Sequence, residues 1–369
     1  MHSFIPVSQP SIGDKEVTYV SEAVRSGWVS SLGRYIEDFE KQFAAYCGSR
    51  YALTTSNGTT GLHLALMAAG VKSGDEVIVP DLTFIATANA VAYIGAKPVL
   101  VDVDSETLCI STVAIERAIT QRSRAIVPVH LYGHPADMDA INAIAKRHGL
   151  IVVEDAAEAH GAEYKGKRVG SFGLCGVFSF YGNKIITSGE GGMITTDNEV
   201  LYITAKRLRD HAMSPSRRYW HEEIGYNYRM TNMQAALGLA QLERIEEFLT
   251  KRRKIMGWYR DRLASHPRLS LNREAPWAKN AYWMVCVEAE GLTDSMRQAL
   301  ITALRERGID SRPYFYPVSD MPIYKAADTP ITHRFSRIGM NLPSYVDMTE
   351  QDVDFVCREF VAALTNIEG

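Results

Sequence analysis

The sequence predicts an α/β protein: a mainly parallel central sheet flanked by helices, followed by a smaller C-terminal α+β domain. Three observations carry that expectation. Between about residues 51 and 200, short β-branched runs alternate with stretches in which apolar residues recur every three to four positions. The runs are apolar almost throughout instead of at alternate positions, the pattern of strands covered on both faces. Beyond Thr231 the pattern changes to long helices with a further strand among them.

In chain order, the expected strands are residues 51–54, 76–79, 98–101, 125–129 and 151–153. Residues 61–69, 83–94 and 138–148 between them have helical spacing, and strands separated by helices run mainly parallel. Ligands then gather at the carboxyl ends of the strands. Residues 233–249 read as one long helix with Ala235, Leu239, Leu242 and Ile245 on one face, and Lys251-Arg252-Arg253-Lys254 as a charged connector behind it. Residues 282–287 read as a strand, 294–307 as a helix and 350–364 as a closing helix. The change of pattern sets a boundary near residue 250, between a large unit, 1–250, and a small one, 251–369, with the N-terminal segment free to pack on the small unit.

The chain's 369 residues are enough for two domains at roughly 150 each. A hydrophobic share of 46% with 22% charged residues fits a globular protein and excludes disorder. A net charge of −3 and a pI near 6.4 point to neither nucleic acid nor an anionic membrane surface as partner. The five cysteines, Cys47, Cys109, Cys175, Cys286 and Cys357, are odd in number and widely spaced. They read as buried thiols in a reducing cytoplasm, not as a disulfide frame or zinc site. Met1-His2-Ser3-Phe4-Ile5-Pro6 lacks the basic-then-apolar order of an export signal, and no run of about 18 apolar residues occurs. A cytoplasmic protein is expected.

Lys184 lies in Phe178-Ser179-Phe180-Tyr181-Gly182-Asn183-Lys184, between an apolar run and the glycine-rich Gly189-Glu190-Gly191-Gly192-Met193. Upstream, Glu154-Asp155 closes an expected buried strand, where an acid needs a partner. Such a lysine and acid suit pyridoxal phosphate: an amine to attack its aldehyde, and an anion to keep its ring nitrogen protonated so that the ring acts as an electron sink. Asn57-Gly58-Thr59-Thr60-Gly61 joins strand to helix, so its N–H groups and hydroxyls suit a phosphate at the positive helix end. The plainer reading of that turn is an N-cap. Ser179 stands close enough to Lys184 to serve the same phosphate, and Phe84 suits either a pyridine ring or the core. His63 and His130 lack metal-ligand spacing and read as core or loop histidines, so no metal site is expected. His160 and His221 stand near the motifs. Arg217, Arg218 and Arg229 suit a diphosphate or a carboxylate.

These motifs, together with Glu154-Asp155-Ala156-Ala157-Glu158-Ala159-His160-Gly161 and Gly225-Tyr226-Asn227-Tyr228-Arg229-Met230-Thr231-Asn232, resemble those of the DegT-type nucleotide-sugar aminotransferases. Those are fold-type-I pyridoxal-phosphate enzymes. The resemblance runs from Trp28-Val29-Ser30-Ser31 to Asn341-Leu342-Pro343-Ser344. Within the family, Ala157-Glu158-Ala159, Gly182-Asn183-Lys184 and Arg217-Arg218-Tyr219-Trp220 are similar to the GDP-perosamine synthases.

The resemblance implies that Lys184 is the Schiff-base lysine and proton carrier, with Asp155 at the pyridinium nitrogen. It puts Gly58, Thr59 and Ser179 on the phosphate, Phe84 on the ring and Glu158 near the phenolic oxygen. A carboxylate there repels a phenolate, so Glu158 is expected to be protonated or to face another donor. Asn227 is implied to reach the cofactor phosphate of a neighbouring subunit, which makes a homodimer with shared active sites. Trp28, Arg218, Tyr219, Arg229 and Tyr316 are the candidates for substrate. Ser319 follows Arg312-Pro313-Tyr314-Phe315-Tyr316-Pro317 where relatives commonly carry histidine, which leaves one pocket contact open.

The reaction so implied moves an amino group from L-glutamate to GDP-4-keto-6-deoxymannose, giving GDP-perosamine and 2-oxoglutarate, a step of lipopolysaccharide O-antigen biosynthesis. A UDP- or dTDP-linked keto sugar is the alternative substrate. A sugar dehydratase on the same fold carries histidine in place of the lysine, and Lys184 argues against it. A non-catalytic ligand-sensing regulator is opposed by the intact Lys184, Asp155 and phosphate-binding set.

Overall fold

The computed structural model describes residues 4–368. Residues 1–3, part of the stretch read for an export signal, and residue 369 lie outside the described residues. The strands are β1 (Tyr51–Thr55), β2 (Glu76–Pro80), β3 (Lys97–Val101), β4 (Ser123–Ile126), β5 (Ile151–Asp155), β6 (Glu163–Tyr164), β7 (Lys167–Arg168), β8 (Cys175–Ser179) and β9 (Gly192–Thr196). They continue with β10 (Leu269–Leu271), β11 (Ala278–Lys279), β12 (Val285–Ala289), β13 (Arg312–Pro313) and β14 (Gly339–Leu342).

Seven strands form the central sheet in the order β3-β2-β4-β5-β8-β9-β1. β2 pairs in parallel with β3 and β4, β4 with β5, and β5 with β8. β9 runs antiparallel to both of its neighbours, so β1 points the same way as the rest. Their apolar runs do what the sequence pattern requires. Ile78 and Val152 enter one apolar cluster, while Val77, Val79 and Val153 enter a second, so β2 and β5 are buried on both faces. The carboxyl ends of β1, β2, β4, β5 and β8 therefore meet along one edge of the sheet.

The helix Gly58–Ala68 follows β1 and is capped by Asn57, whose Oδ1 accepts from the Thr60 N–H at 2.9 Å. Gly61 lets this helix lie close on the sheet, because a Cβ there would come within 2.9 Å of Val177 Cγ1. The helix N-terminus is thus fixed at the carboxyl edge.

Five expectations are corrected. β4 stops at Ile126, because Pro128 has no N–H to continue the ladder. The helix after β2 covers Ala86–Tyr93, so Phe84 precedes it. Residues 233–249 are two helices, Asn232–Leu242 and Ile245–Leu263, broken where Arg244 leaves the helical region to pair with Glu16 at 2.8 Å. Residues 251–254 are no connector but part of the second helix, and position 250 also falls within it. Arg252 there is buried because its Nη1 donates to the carbonyls of Trp283 and Ser344. Finally, the strand expected at 282 begins at Val285, since Tyr282 turns into the left-handed region with φ +49°.

The C-terminal portion centres on an antiparallel sheet, β10-β12-β14-β13. Helices Asp294–Glu306, Pro330–Ile338 and Glu350–Glu368 accompany it. The N-terminal segment joins this portion: Ile5 bridges Ile309, and the Val7 carbonyl accepts from Ser344 N–H.

Candidate active site

A cavity of about 650 Å³ opens at the carboxyl edge of the central sheet, with Trp283, Met284, Arg312, Pro313, Phe315 and Asn341 of the C-terminal portion as its far wall. Gly58 and Thr59 begin the helix after β1, and the cap serves the N–H groups of Thr60 and Gly61. Their own N–H groups, which no helical carbonyl can serve, are left for a ligand. A Cβ at Gly58 would come within 2.8 Å of Ser179 Cβ, so glycine keeps open a cradle between this turn and the end of β8. Gly58, Thr59, Ser179, Asp155, Glu158, Phe84 and Lys184 all line the cavity. The sequence reading named each of them, and the strand ends bring them together.

Asp155 ends β5 and is 5% exposed. Burial raises its pKa, while Thr87 Oγ1, donating to Oδ2 at 2.8 Å, and the Ala157 N–H, donating to Oδ1 at 3.1 Å, pull it down. The neighbouring Glu154 points the other way. Its carboxylate accepts from the N–H groups of Gly170, Phe172 and Gly173 and meets His130 Nε2 at 3.1 Å, which ties down the loop before β8. His130 is thus a satisfied core histidine.

Lys184 Nζ lies 3.9 Å from Glu158 Oε1 and 3.9 Å from the centre of the Trp283 ring. Burial lowers the lysine's pKa, and the Glu158 and Asp155 carboxylates oppose that. Burial pushes Glu158 up to about 7 against the pull of Lys184 and of the Tyr132 N–H, which donates to Oε2 at 2.8 Å. Glu158 therefore does face another donor. Tyr132 is held at φ +52°, in the left-handed region a tyrosine rarely enters, to deliver that N–H.

The remaining candidates lie elsewhere in a single chain. Asn227 is exposed and accepts from the Arg229 guanidinium, which also pairs with Asp210 at 2.7 Å. Trp28, Tyr219 and Tyr316 are exposed, and Arg218 lies over the Tyr219 ring. None of Asn227, Trp28, Arg218, Tyr219, Arg229 or Tyr316 lines the cavity. Ser319 does not either: its N–H and hydroxyl both donate to the buried Asp81. His63 meets the Tyr228 hydroxyl at 3.1 Å. His221 is exposed against the His211 carbonyl. His160 is buried, and burial brings its pKa down to about 3, so it is a neutral ring between Phe178 and Phe180.

Sequence reading missed Thr87, Tyr132, Trp283 and Arg312. Thr87 sits one helical turn after Thr83, whose hydroxyl meets its own at 3.0 Å, and that spacing was a usable signal. Trp283 is brought to Lys184 only by tertiary packing.

The donor set fits pyridoxal phosphate. The cradle at Gly58, Thr59 and Ser179 suits its phosphate, the buried carboxylate of Asp155 suits a protonated ring nitrogen, and Lys184 supplies the amine. Among the described residues no group of His, Cys, Asp and Glu is placed to hold a metal, and no helix is long and apolar enough to cross a membrane.

The sequence profile of the DegT/DnrJ/EryC1/StrS aminotransferase family matches residues 10–361. The chain is 49% identical over 368 residues to the GDP-perosamine synthase of Caulobacter vibrioides, covering 98% of each. It is 46% identical to that of Escherichia coli O157:H7, covering 96% of this chain and 97% of the other. Among solved structures, Spr1654 from Streptococcus pneumoniae in its PLP form superposes with a TM-score of 0.94 at 27% identity, covering 99% of both chains. S. venezuelae DesV superposes with a TM-score of 0.90 at 34% identity, covering 98% of this chain and 99% of that one.

Proposed function

This chain belongs to the DegT/DnrJ/EryC1/StrS aminotransferase family, and from that premise we propose that it aminates GDP-4-keto-6-deoxymannose to GDP-perosamine with L-glutamate as donor. It is a pyridoxal-phosphate-dependent aminotransferase. The observation that carries the site assignment is Lys184 Nζ, set 3.9 Å from Glu158 Oε1 in the cavity that Asp155 also lines. The substrate assignment is supported by the names of the relatives from C. vibrioides and E. coli O157:H7.

When bound, the cofactor supplies an electron sink for charge that develops at the carbon losing its proton. This chain's residues do the rest. The N–H groups of Gly58 and Thr59 and the Ser179 hydroxyl bind the phosphate. Asp155, whose carboxylate accepts from Thr87 and the Ala157 N–H, would hold a proton at the ring nitrogen. Phe84, which lines the same cavity, would stack on the ring. Lys184 Nζ would carry the proton from the donor's α-carbon to cofactor C4′ in the first half-reaction, and from C4′ to sugar C4 in the second. One site serves both halves, so the kinetics are ping-pong.

The active enzyme is a homodimer in the cytoplasm in this reading. Asn227, Trp28, Arg218, Tyr219, Arg229 and Tyr316 lie outside the cavity of their own chain, which suits residues that serve the neighbouring subunit's site. The large N-terminal unit then binds the cofactor, and the C-terminal portion, beyond the helix Ile245–Leu263, closes the far wall. The product suits lipopolysaccharide O-antigen. A panel of GDP-, UDP- and dTDP-linked 4-keto-6-deoxy sugars, each incubated with glutamate and analysed for amino sugar, tests the substrate. Turnover of the GDP sugar well above the others is expected; preference for a UDP or dTDP sugar replaces the assignment.

A further inference from the structure

Trp283 is 4% exposed, and its indole Nε1–H donates to the Asn183 carbonyl at 2.7 Å, on the residue directly before Lys184. That bond turns the face of the ring toward the lysine, whose Nζ lies 3.9 Å from its centre. The backbone of Trp283 is anchored in turn. Its carbonyl accepts from Arg252 Nη1 at 2.8 Å, and the same atom holds the Ser344 carbonyl at 2.9 Å. Arg252 is among the largest fully buried side chains, a costly placement that the reaction itself does not use.

Glu158, 3.9 Å from the amine, is held by comparable means. Tyr132, which delivers its N–H to Glu158, stacks on Trp283 with ring centres 6.2 Å apart and planes 20° apart. Tyr132 and Tyr282, the residue before Trp283, are both in the left-handed backbone region. Strain of this kind persists only where packing fixes it, and here it fixes two neighbours of one amine.

We propose that the indole face of Trp283 is the seat that the Lys184 amine occupies while it is not bonded to the cofactor, which makes Trp283 a catalytic residue that holds the proton carrier between half-reactions. The established reaction requires Lys184 to leave and return. A free amine on a flexible stem has many places to go, and a π face and a carboxyl, each 3.9 Å away, define one of them. The charged and titratable groups that act on the amine are Glu158 and Asp155, and the neutral His160 senses its charge. The inference rests on Lys184 being the cofactor lysine.

The test uses cofactor-free enzyme, so that turnover plays no part. Trace acetylation of Lys184 by acetic anhydride over a pH series, quantified by peptide mass spectrometry, reports its titration. Biosynthetic replacement of tryptophan by mono-, di- and trifluorotryptophan drains the π face stepwise without changing its shape. Of the five tryptophans, Trp283 is the one whose ring Lys184 covers. Lys184 should become a weaker base step by step, by about one pKa unit overall, a roughly tenfold loss of proton affinity. Trp283→Phe should fall between wild type and the most fluorinated protein, and Trp283→Leu should match or exceed the latter. An unchanged Lys184 profile across the fluorinated series and Trp283→Phe overturns the proposal. A pyridoxyl group found on another lysine overturns the parent reading without altering this titration, so the two failures are distinguishable.

Discussion

The Thr87 hydroxyl donates to Asp155 Oδ2 across 2.8 Å, and the Thr83 hydroxyl lies 3.0 Å from Thr87. A buried carboxylate left without donors takes up a proton, and a neutral Asp155 holds a pyridine nitrogen less strongly than an anion does. Thr87 therefore governs how well the ring is bound. Thr87→Val keeps the shape and removes the donor, and should weaken cofactor retention about tenfold, the worth of one hydrogen bond to a charged group. Fluorescence titration of cofactor-free protein with pyridoxal phosphate measures it. Thr87→Ser should restore most of the affinity; a valine variant that binds as tightly as wild type removes the role.

Glu158 predicts a pH dependence of stability in the cofactor-free protein. Its folded pKa is raised, to about 7 from an ordinary 4.5. For a raised carboxyl the unfolded state ionises first, so stability is fully present below 4.5 and is lost as pH rises to about 7. The loss is on the order of 3 kcal/mol. Urea unfolding of Glu158→Gln should lack this slope between those pH values and retain the cofactor. An equal slope in both proteins assigns the titration to another group.

Subunit mixing checks the shared site. Lys184→Ala and a substitution of Asn227 should each abolish turnover, and their mixture should recover up to about a quarter of wild-type activity if hybrids form at random and one hybrid site carries both native residues. Subunit exchange is verified by mass spectrometry of labelled protein. No recovery despite exchange places Asn227 in its own chain's business alone.

Much of this was legible in the sequence, for a physical reason. Strands buried on both faces must be apolar throughout, and helices between them must make them parallel, so residues at strand ends such as Asp155 and Ser179 converge without further information. The break at Glu243-Arg244 was not legible, because Arg244 leaves the helix for Glu16, more than two hundred residues away. The burial of Arg252 was hidden in the same way, since charge in a helical run reads as solvated until its carbonyl partners are known. Trp283 reaches Asn183 across 100 residues, and no local pattern announces such a contact. The placement of Asn227 and Arg218 outside the cavity has no signature in their local sequence either.

Borohydride reduction of the cofactor-loaded enzyme, followed by proteolysis and mass spectrometry, tests the account at its centre. A pyridoxyl group is expected on Lys184, on the peptide that also carries Tyr181 and Asn183. Recovery of that group on any other lysine would contradict it, because the cavity walls, the Asp155 carboxylate and the phosphate cradle are assigned by their relation to this one amine.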